Sequence, residues 1–183
     1  MTPQLAEVLP AAELVHDHIA LDAAIAGIAD AIHADYANDA APPLFVTVMH
    51  GGMLFAAQLA LALGERGLGM EFDYLHATRY RGQTSGSGLA WLHRPTTPMR
   101  DRRVILADDI LDEGHTMLAV KRWCEDQNAL DVRIAVLSRK RHDRCADGIH
   151  ADYVGVEVPD RYVFGYGMDY HEQGRNLPGI YAL

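Results

Sequence analysis

Arg103-Val104-Ile105-Leu106-Ala107-Asp108-Asp109-Ile110-Leu111-Asp112-Glu113-Gly114-His115-Thr116 is the stretch whose reading decides the fold. Val104 to Ala107 is a short apolar run with the length of a buried strand. It ends in two adjacent carboxylates, a third follows at Asp112, and Gly114 and Thr116 lead into a helical pattern from Met117 onward. Ligands of open α/β sheets bind beyond the carboxyl ends of the strands. The run therefore predicts a site at its own turn.

The order of the residues says what such a site holds. Asp108 and Asp109 cannot be buried without donors or a cation, because unpaired charge is costly in a dry interior. Vicinal sugar hydroxyls satisfy both. Gly114 permits a tight turn and close backbone approach to a ligand. The N–H groups of residues 112 to 116 open the next helix, where orphan donors and the positive dipole end favour a phosphate, and Thr116 adds a hydroxyl. Sugar acceptors on one side and a phosphate cradle on the other describe a site for a ribose 5-phosphate, with Asp112 between them for proton chemistry. The plainer alternative is an acidic strand end with Asp112 as helix cap.

Working outward, Leu21, Ile25, Ile28, Ile32 and Tyr36 recur at helical spacing, so residues 21 to 37 read as an amphipathic helix. Residues 38 to 43 break it. Leu44 to Met49 is a buried strand, and Gly51-Gly52 leads into a helix over Leu54 to Leu63. Glu71 to Ala77 and Ala90 to Leu92 read as strands on either side of a Gly- and Ser-rich loop, Tyr80 to Gly88, expected to be mobile. Arg103 to Ala107 and Val132 to Ser138 are further buried strands with a helix over Thr116 to Gln127 between them. Asp152 to Val158 and Tyr162 to Tyr166 are short strands near the end. Strands alternating with helices predict an α/β fold, a mostly parallel central sheet flanked by helices.

With 183 residues, 49 % of them hydrophobic and 22 % charged, the chain suits one soluble domain with a sizeable core. The formal charge of −9 argues against a nucleic-acid surface, which needs a basic face. No apolar run is long enough to span a bilayer. The first ten residues lack the basic start and apolar core of a signal peptide. Cys124 and Cys145 show no metal or redox spacing. A cytoplasmic location is the default expectation.

Three further stretches carry polar groups to strand ends. Met49-His50-Gly51-Gly52 has the glycines for a backbone nest facing an anion, or for a plain flexible turn. Ser138-Arg139-Lys140-Arg141 places a lysine where it can donate to a carbonyl oxygen, or is a solvated basic cluster. Asp160-Arg161-Tyr162-Val163-Phe164-Gly165-Tyr166-Gly167-Met168-Asp169-Tyr170 offers an aromatic face for a planar base, or is a hydrophobic edge strand. Arg175 suits clamping of phosphate oxygens. His16, His18, His33, His76, His93, His142, His150 and His171 form no ligand pattern and receive no function.

The Asp108–Thr116 run resembles the phosphoribosyl-diphosphate (PRPP) motif of type I phosphoribosyltransferases. The C-terminal segment Val158-Pro159-Asp160-Arg161-Tyr162-Val163-Phe164-Gly165-Tyr166, with Asp169-Tyr170 and Arg175-Asn176-Leu177, is similar to a pattern of the hypoxanthine–guanine phosphoribosyltransferases. The likeness covers most of the chain. It implies a single domain over residues 1–183, with a core of about 40–155 and a hood from about 1–39 and 156–183. It implies purine salvage: Mg²⁺-dependent transfer of the phosphoribosyl group from PRPP to N9 of hypoxanthine or guanine, giving IMP or GMP and diphosphate.

The same resemblance distributes roles. Asp108 and Asp109 hold the ribose hydroxyls, directly or through Mg²⁺. Asp112 accepts the purine N7 proton. The backbone of Glu113, Gly114, His115 and Thr116 binds the 5′-phosphate. Lys140 donates to O6, Tyr162 stacks on the base, and the Val163 main chain contacts its edge. Asp169 binds the magnesium on the diphosphate, with Arg175 beside it. Met49, His50 and Gly51 bind diphosphate through backbone N–H groups, with a cis peptide entering the turn in many members. Thr78, Arg79 and Tyr80 begin a closing loop that runs to Gly88. A homodimer or homotetramer is the usual assembly.

The chain departs from the family pattern at His50, where many members have lysine, at Glu113, where a small hydroxyl residue is usual, and at Arg79, where serine is common. The Glu113 carboxylate is expected to point away from a phosphate it would repel. Two other readings fit much of the same pattern: transfer to another base such as xanthine, and a PRPP-sensing regulator on the same fold.

Overall fold

The computed structural model describes residues 4–79 and 89–183, with the side chains of Arg79 and Leu89 outside the description. The chain runs through α1 (Leu5–Val8), a 3-10 turn, β1 (Glu13–His16), α2 (His18–Tyr36), β2 (Leu44–Val48), α3 (Met53–Glu65), β3 (Glu71–Arg79) and β4 (Leu89–His93). It continues through β5 (Arg103–Leu111), α4 (His115–Asp126), β6 (Asp131–Lys140), β7 (Tyr153–Val158), β8 (Val163–Phe164) and β9 (Ile180–Ala182).

Six strands form the main sheet in the order β4-β3-β2-β5-β6-β7. All neighbours pair in parallel except β3 and β4. The parallel strands read as near-continuous apolar runs because both faces are covered. Alternation then divides their side chains. Phe45, Ile105, Ala107, Ala135 and Leu137 pack on one face with α2 and α3. Val46, Val104, Leu106, Ile134 and Val136 pack on the other with Met117, Val120 and Cys124 of α4. The helical stripe read from Leu21 to Tyr36 is buried throughout. Each fully buried Leu or Ile in it is worth about 1.5–3 kcal/mol of transfer out of water. The helix starts three residues earlier than its apolar stripe, because the Asp17 carboxylate accepts the Ala20 N–H at 2.9 Å and caps it.

A second, three-stranded sheet has the order β1-β9-β8. It is antiparallel and ties the two ends of the chain together. β1 and β9 were not expected from the sequence; strands of three or four residues carry too little period to be seen. Tyr162 to Tyr166 proves shorter than expected, because Gly165 and Tyr166 adopt positive φ and only Val163–Phe164 remains strand. β5 instead proves longer. It was expected to end at Ala107, but pairing with β6 continues through Asp108↔Val136, Ile110↔Ser138 and Leu111↔Arg139. Asp108 and Asp109 are therefore held in the ladder and not on a loose turn. Among the described residues, no helix is long and apolar enough to cross a membrane.

Candidate active site

The chain passes from β2 outward to β3, then returns to the other side of β2 to lay down β5. That reversal is the switch point at which open sheets bind ligands. A cavity of about 800 Å³ opens there, beyond the carboxyl ends of β2, β5 and β6. His50 and Gly51 border it from β2, Asp108 to Thr116 from β5 and its turn, and Lys140 from β6. Thr78, Tyr162, Val163, Asp169 and Arg175 complete the wall. All the expected site residues with described side chains thus meet at one cavity. Arg79's side chain and Tyr80 lie outside the described residues.

Two glycines are required by this geometry. Met49–His50 is a cis peptide, and Gly51 lies so close to β5 that a Cβ there would collide with the Asp109 carboxylate. Gly114 has φ 74° and takes the N-cap of α4, a left-handed conformation that only glycine adopts cheaply. Asp112 is thus not the helix cap that the plainer reading made it. Residues 113 to 117, which carry the open N–H groups of the first turn of α4, line the cavity.

Asp108 and Asp109 differ sharply from their neighbour three residues on. Burial raises the Asp108 carboxyl well above the usual carboxylate range, and the adjacent Asp109 charge adds to it. Burial likewise raises Asp109, against the hydrogen bonds and the Arg175 charge that oppose it. The pair shares one side-chain contact with the backbone, Asp109 N–H donating to Asp108 Oδ1 at 2.9 Å. Ser138, fully buried, donates its hydroxyl to the Asp109 carbonyl at 3.1 Å and fixes the strand end.

Asp112 has both oxygens filled. Lys140 Nζ donates to Oδ2 at 2.7 Å, and His142 Nε2 lies 2.7 Å from Oδ1. Burial pushes this carboxyl up, but the hydrogen bonds and charges of Lys140 and His142 outweigh it and hold Asp112 below the usual range. Glu113, half exposed at the rim, has its carboxylate 3.8 Å from His115 Nε2. Across the cavity, Tyr162 donates its hydroxyl to the Asp169 carbonyl at 3.2 Å. The Asp169 carboxylate pairs with Arg175 at 2.5 Å and accepts the Glu172 N–H at 2.9 Å.

The donor set suits a magnesium ion held jointly with a ligand. Magnesium takes oxygen ligands and is commonly bound by one or two carboxylates together with substrate phosphates. Asp108, Asp109 and Asp169 supply such oxygens around the cavity. Among the described residues, no group of three or more His, Cys, Asp or Glu side chains is arranged to hold an ion alone. The acidic pair, raised by desolvation, is the kind of site that a cation or hydroxyl donors relieve.

Comparison with known proteins follows the same outline. The family model described as the phosphoribosyl transferase domain matches residues 12–173. Hypoxanthine-guanine phosphoribosyltransferase of Streptococcus thermophilus is 36% identical over 150 residues, 81% of this chain and 80% of that protein. Its counterpart in Streptococcus pneumoniae is 33% identical over the same shares. The chain belongs to the hypoxanthine-guanine phosphoribosyltransferase family. The crystal structure of a hypoxanthine phosphoribosyltransferase from Staphylococcus aureus superposes with a TM-score of 0.84 at 26% identity, over 93% of this chain and 90% of that one.

For a hypoxanthine-guanine phosphoribosyltransferase, three residues at this site escaped the sequence reading. His142 belongs to no ligand pattern in the sequence, yet it bonds the central carboxylate from two residues after Lys140. Ser138 ends an apolar run in the sequence, yet its hydroxyl bonds the Asp109 carbonyl. His76, also set aside, packs edge-on to His50 with ring centroids 4.4 Å apart. Burial, then His50 and Arg175, hold His76 below the usual histidine range.

Proposed function

We propose that the enzyme transfers the phosphoribosyl group of PRPP to N9 of hypoxanthine or guanine, giving IMP or GMP and diphosphate. The observation that carries this reading is the Asp112–Lys140 pair, 2.7 Å apart at the cavity. A 6-oxopurine presents an N7–H donor and an O6 acceptor side by side on one edge. A carboxylate beside an ammonium matches that edge, whereas a 6-amino group would set donor against donor.

In this mechanism the bond from ribose C1 to diphosphate breaks as N9 attacks C1, and the N7 proton passes to Asp112. Asp108 and Asp109 take the ribose hydroxyls, the N–H groups of 113–116 take the 5′-phosphate, and the Met49–Gly51 turn takes diphosphate. Tyr162 stacks on the base, the Val163 main chain meets its edge, and Arg175 faces the leaving group. Asp169 and the Asp108–Asp109 pair would hold Mg²⁺ together with substrate oxygens, and the ion would supply charge neutralisation for the departing diphosphate. The whole chain acts as one domain, residues 40–155 as core and the two ends as hood, assembled as a homodimer or homotetramer in the cytoplasm.

A spectrophotometric assay with PRPP and Mg²⁺ tests this, with hypoxanthine, guanine, xanthine and adenine in parallel and Asp112→Ala as control. Turnover of hypoxanthine or guanine that the variant loses is the expected result. Turnover confined to xanthine or adenine moves the reading to another base, and none with any purine removes it.

A further inference from the structure

The Asp112 turn is clasped by the segment that follows β6. His142 bonds the Asp112 carboxylate, the Cys145 thiol donates to the Asp112 carbonyl at 3.2 Å, and the Ala146 N–H donates to the Glu113 carbonyl at 2.8 Å. Arg141 N–H holds the Val158 carbonyl at 2.9 Å, which anchors the start of this clasp to β7. The two side chains on the carboxylate are not equivalent. Lys140 borders the cavity, and His142 is not among the described residues that do. The His142 side chain is 2% exposed, against 42% for Asp112. Its Nδ1 accepts the Arg144 N–H at 3.1 Å, so the proton of a neutral ring sits on Nε2, facing Oδ1.

We propose that His142 is a positioning residue for the proton acceptor: its Nε2–H holds Oδ1 of Asp112 while Lys140 leaves Oδ2 for the exocyclic oxygen of the purine. This rests on the reading of Asp112 and Lys140 given above. A carboxylate with both oxygens bonded is a poor acceptor. Releasing one donor to the substrate frees Oδ2 for the N7 proton, and the remaining neutral donor keeps the carboxylate aimed. Substrate arrival and activation of the base become one event.

The titratable and charged groups around this carboxylate are Lys140 on β6, the neighbouring Glu113 and His115 in sequence, and Arg144, which pairs with Asp160 at 2.7 Å. The Lys140–Asp112 and Arg144–Asp160 side-chain pairs do not include His142, whose replacement also removes the acceptor of the Arg144 N–H. Loss of its hydrogen bond removes one of the causes that hold Asp112 low, so the acid limb of kcat/KM moves to higher pH.

Three variants test the assignment: His142→Ala and His142→Phe, which lack the donor, and His142→Gln, whose amide reaches where Nε2 lies. Steady-state kinetics with PRPP and the best purine are run from pH 5 to 9, after thermal denaturation has shown which variants fold. The expected result is a roughly tenfold fall in kcat for a folded donor-less variant, KM for PRPP within about twofold, and an acid limb displaced upward. In His142→Gln both kcat and the limb return towards the parent. Unchanged kcat and limb in a folded donor-less variant overturn the proposal. So does a glutamine variant as impaired as alanine, or failure of both donor-less variants to fold, which makes the histidine purely structural. A parent protein without purine turnover overturns the proposed function itself, a result distinct from all of these.

Discussion

Within five residues at the end of β5 and the turn after it, the chain carries carboxylates in opposite states. Asp109 is buried and Asp108 partly so, no cationic side chain among the described residues is bonded to either, and desolvation drives their carboxyls up. Asp112 stands at the cavity with Lys140 and His142 on its two oxygens, and its carboxyl is driven down. Environments that push neighbouring acids apart separate their tasks. The pair is short of donors and is built to receive them from a ligand. The single carboxylate is already satisfied and becomes a base only when a donor leaves.

The strongest way to break that contrast is to exchange the losses. Asp112→Asn keeps the shape and removes the proton acceptor. It should lower kcat by about 10²–10⁴ while PRPP affinity, measured by calorimetry, changes less than about threefold. Asp109→Asn should do the reverse, weakening PRPP binding about tenfold or more, since a charged acceptor for two hydroxyls is worth more than a neutral one. If both variants lose affinity and turnover equally, the carboxylates share one task.

A smaller effect sharpens the Asp112 side. Lys140→Ala should raise KM for hypoxanthine or guanine about tenfold, the scale of one charged hydrogen bond. It should also narrow the preference for 6-oxo over 6-amino purines. An unchanged ratio of kcat/KM for hypoxanthine to adenine would mean that Lys140 serves only to pair with Asp112.

Much of this was legible in residue order. The apolar run before Asp108 and the helical stripe from Leu21 to Tyr36 follow from periodicity, and both were found. The cavity wall was legible because strand ends in a parallel sheet share one edge, so Gly51, Asp108 and Lys140 had to meet there. What escaped depends on contacts between distant parts of the chain. The extension of β5 through Leu111 is decided by its partner strand, since two aspartates are poor strand formers by themselves. β1 and β9 join residues some 170 positions apart in antiparallel register, with Glu13 opposite Ala182. His142 looked like one histidine among ten; only the fold of the segment after Lys140 turns it onto Asp112.

The smallest expected effect tests the contrast by sign alone, through stability of the ligand-free protein in chelator. A carboxyl raised in the folded state binds its proton more tightly there than in the unfolded chain. Stability is then lost as pH climbs from the ordinary aspartate value of about 4 through the raised one. Asp108→Asn removes that loss, and should add about 1 kcal/mol at pH 7, or 2–4 °C in Tm, with no gain below about pH 4. Asp112 has the opposite linkage: its contribution is present above the ordinary value and fades as pH falls through the depressed one. Asp112→Asn should therefore lower Tm at pH 7, with a loss of stability under about 1 kcal/mol because its side chain is 42% exposed and solvent screens the Lys140 pair. Differential scanning calorimetry at pH 4 and 7 reads both. Tm shifts of the same sign at pH 7 would show that burial, and not partnership, governs all three carboxylates, and Asp112 would then lose its claim to be the one held ready.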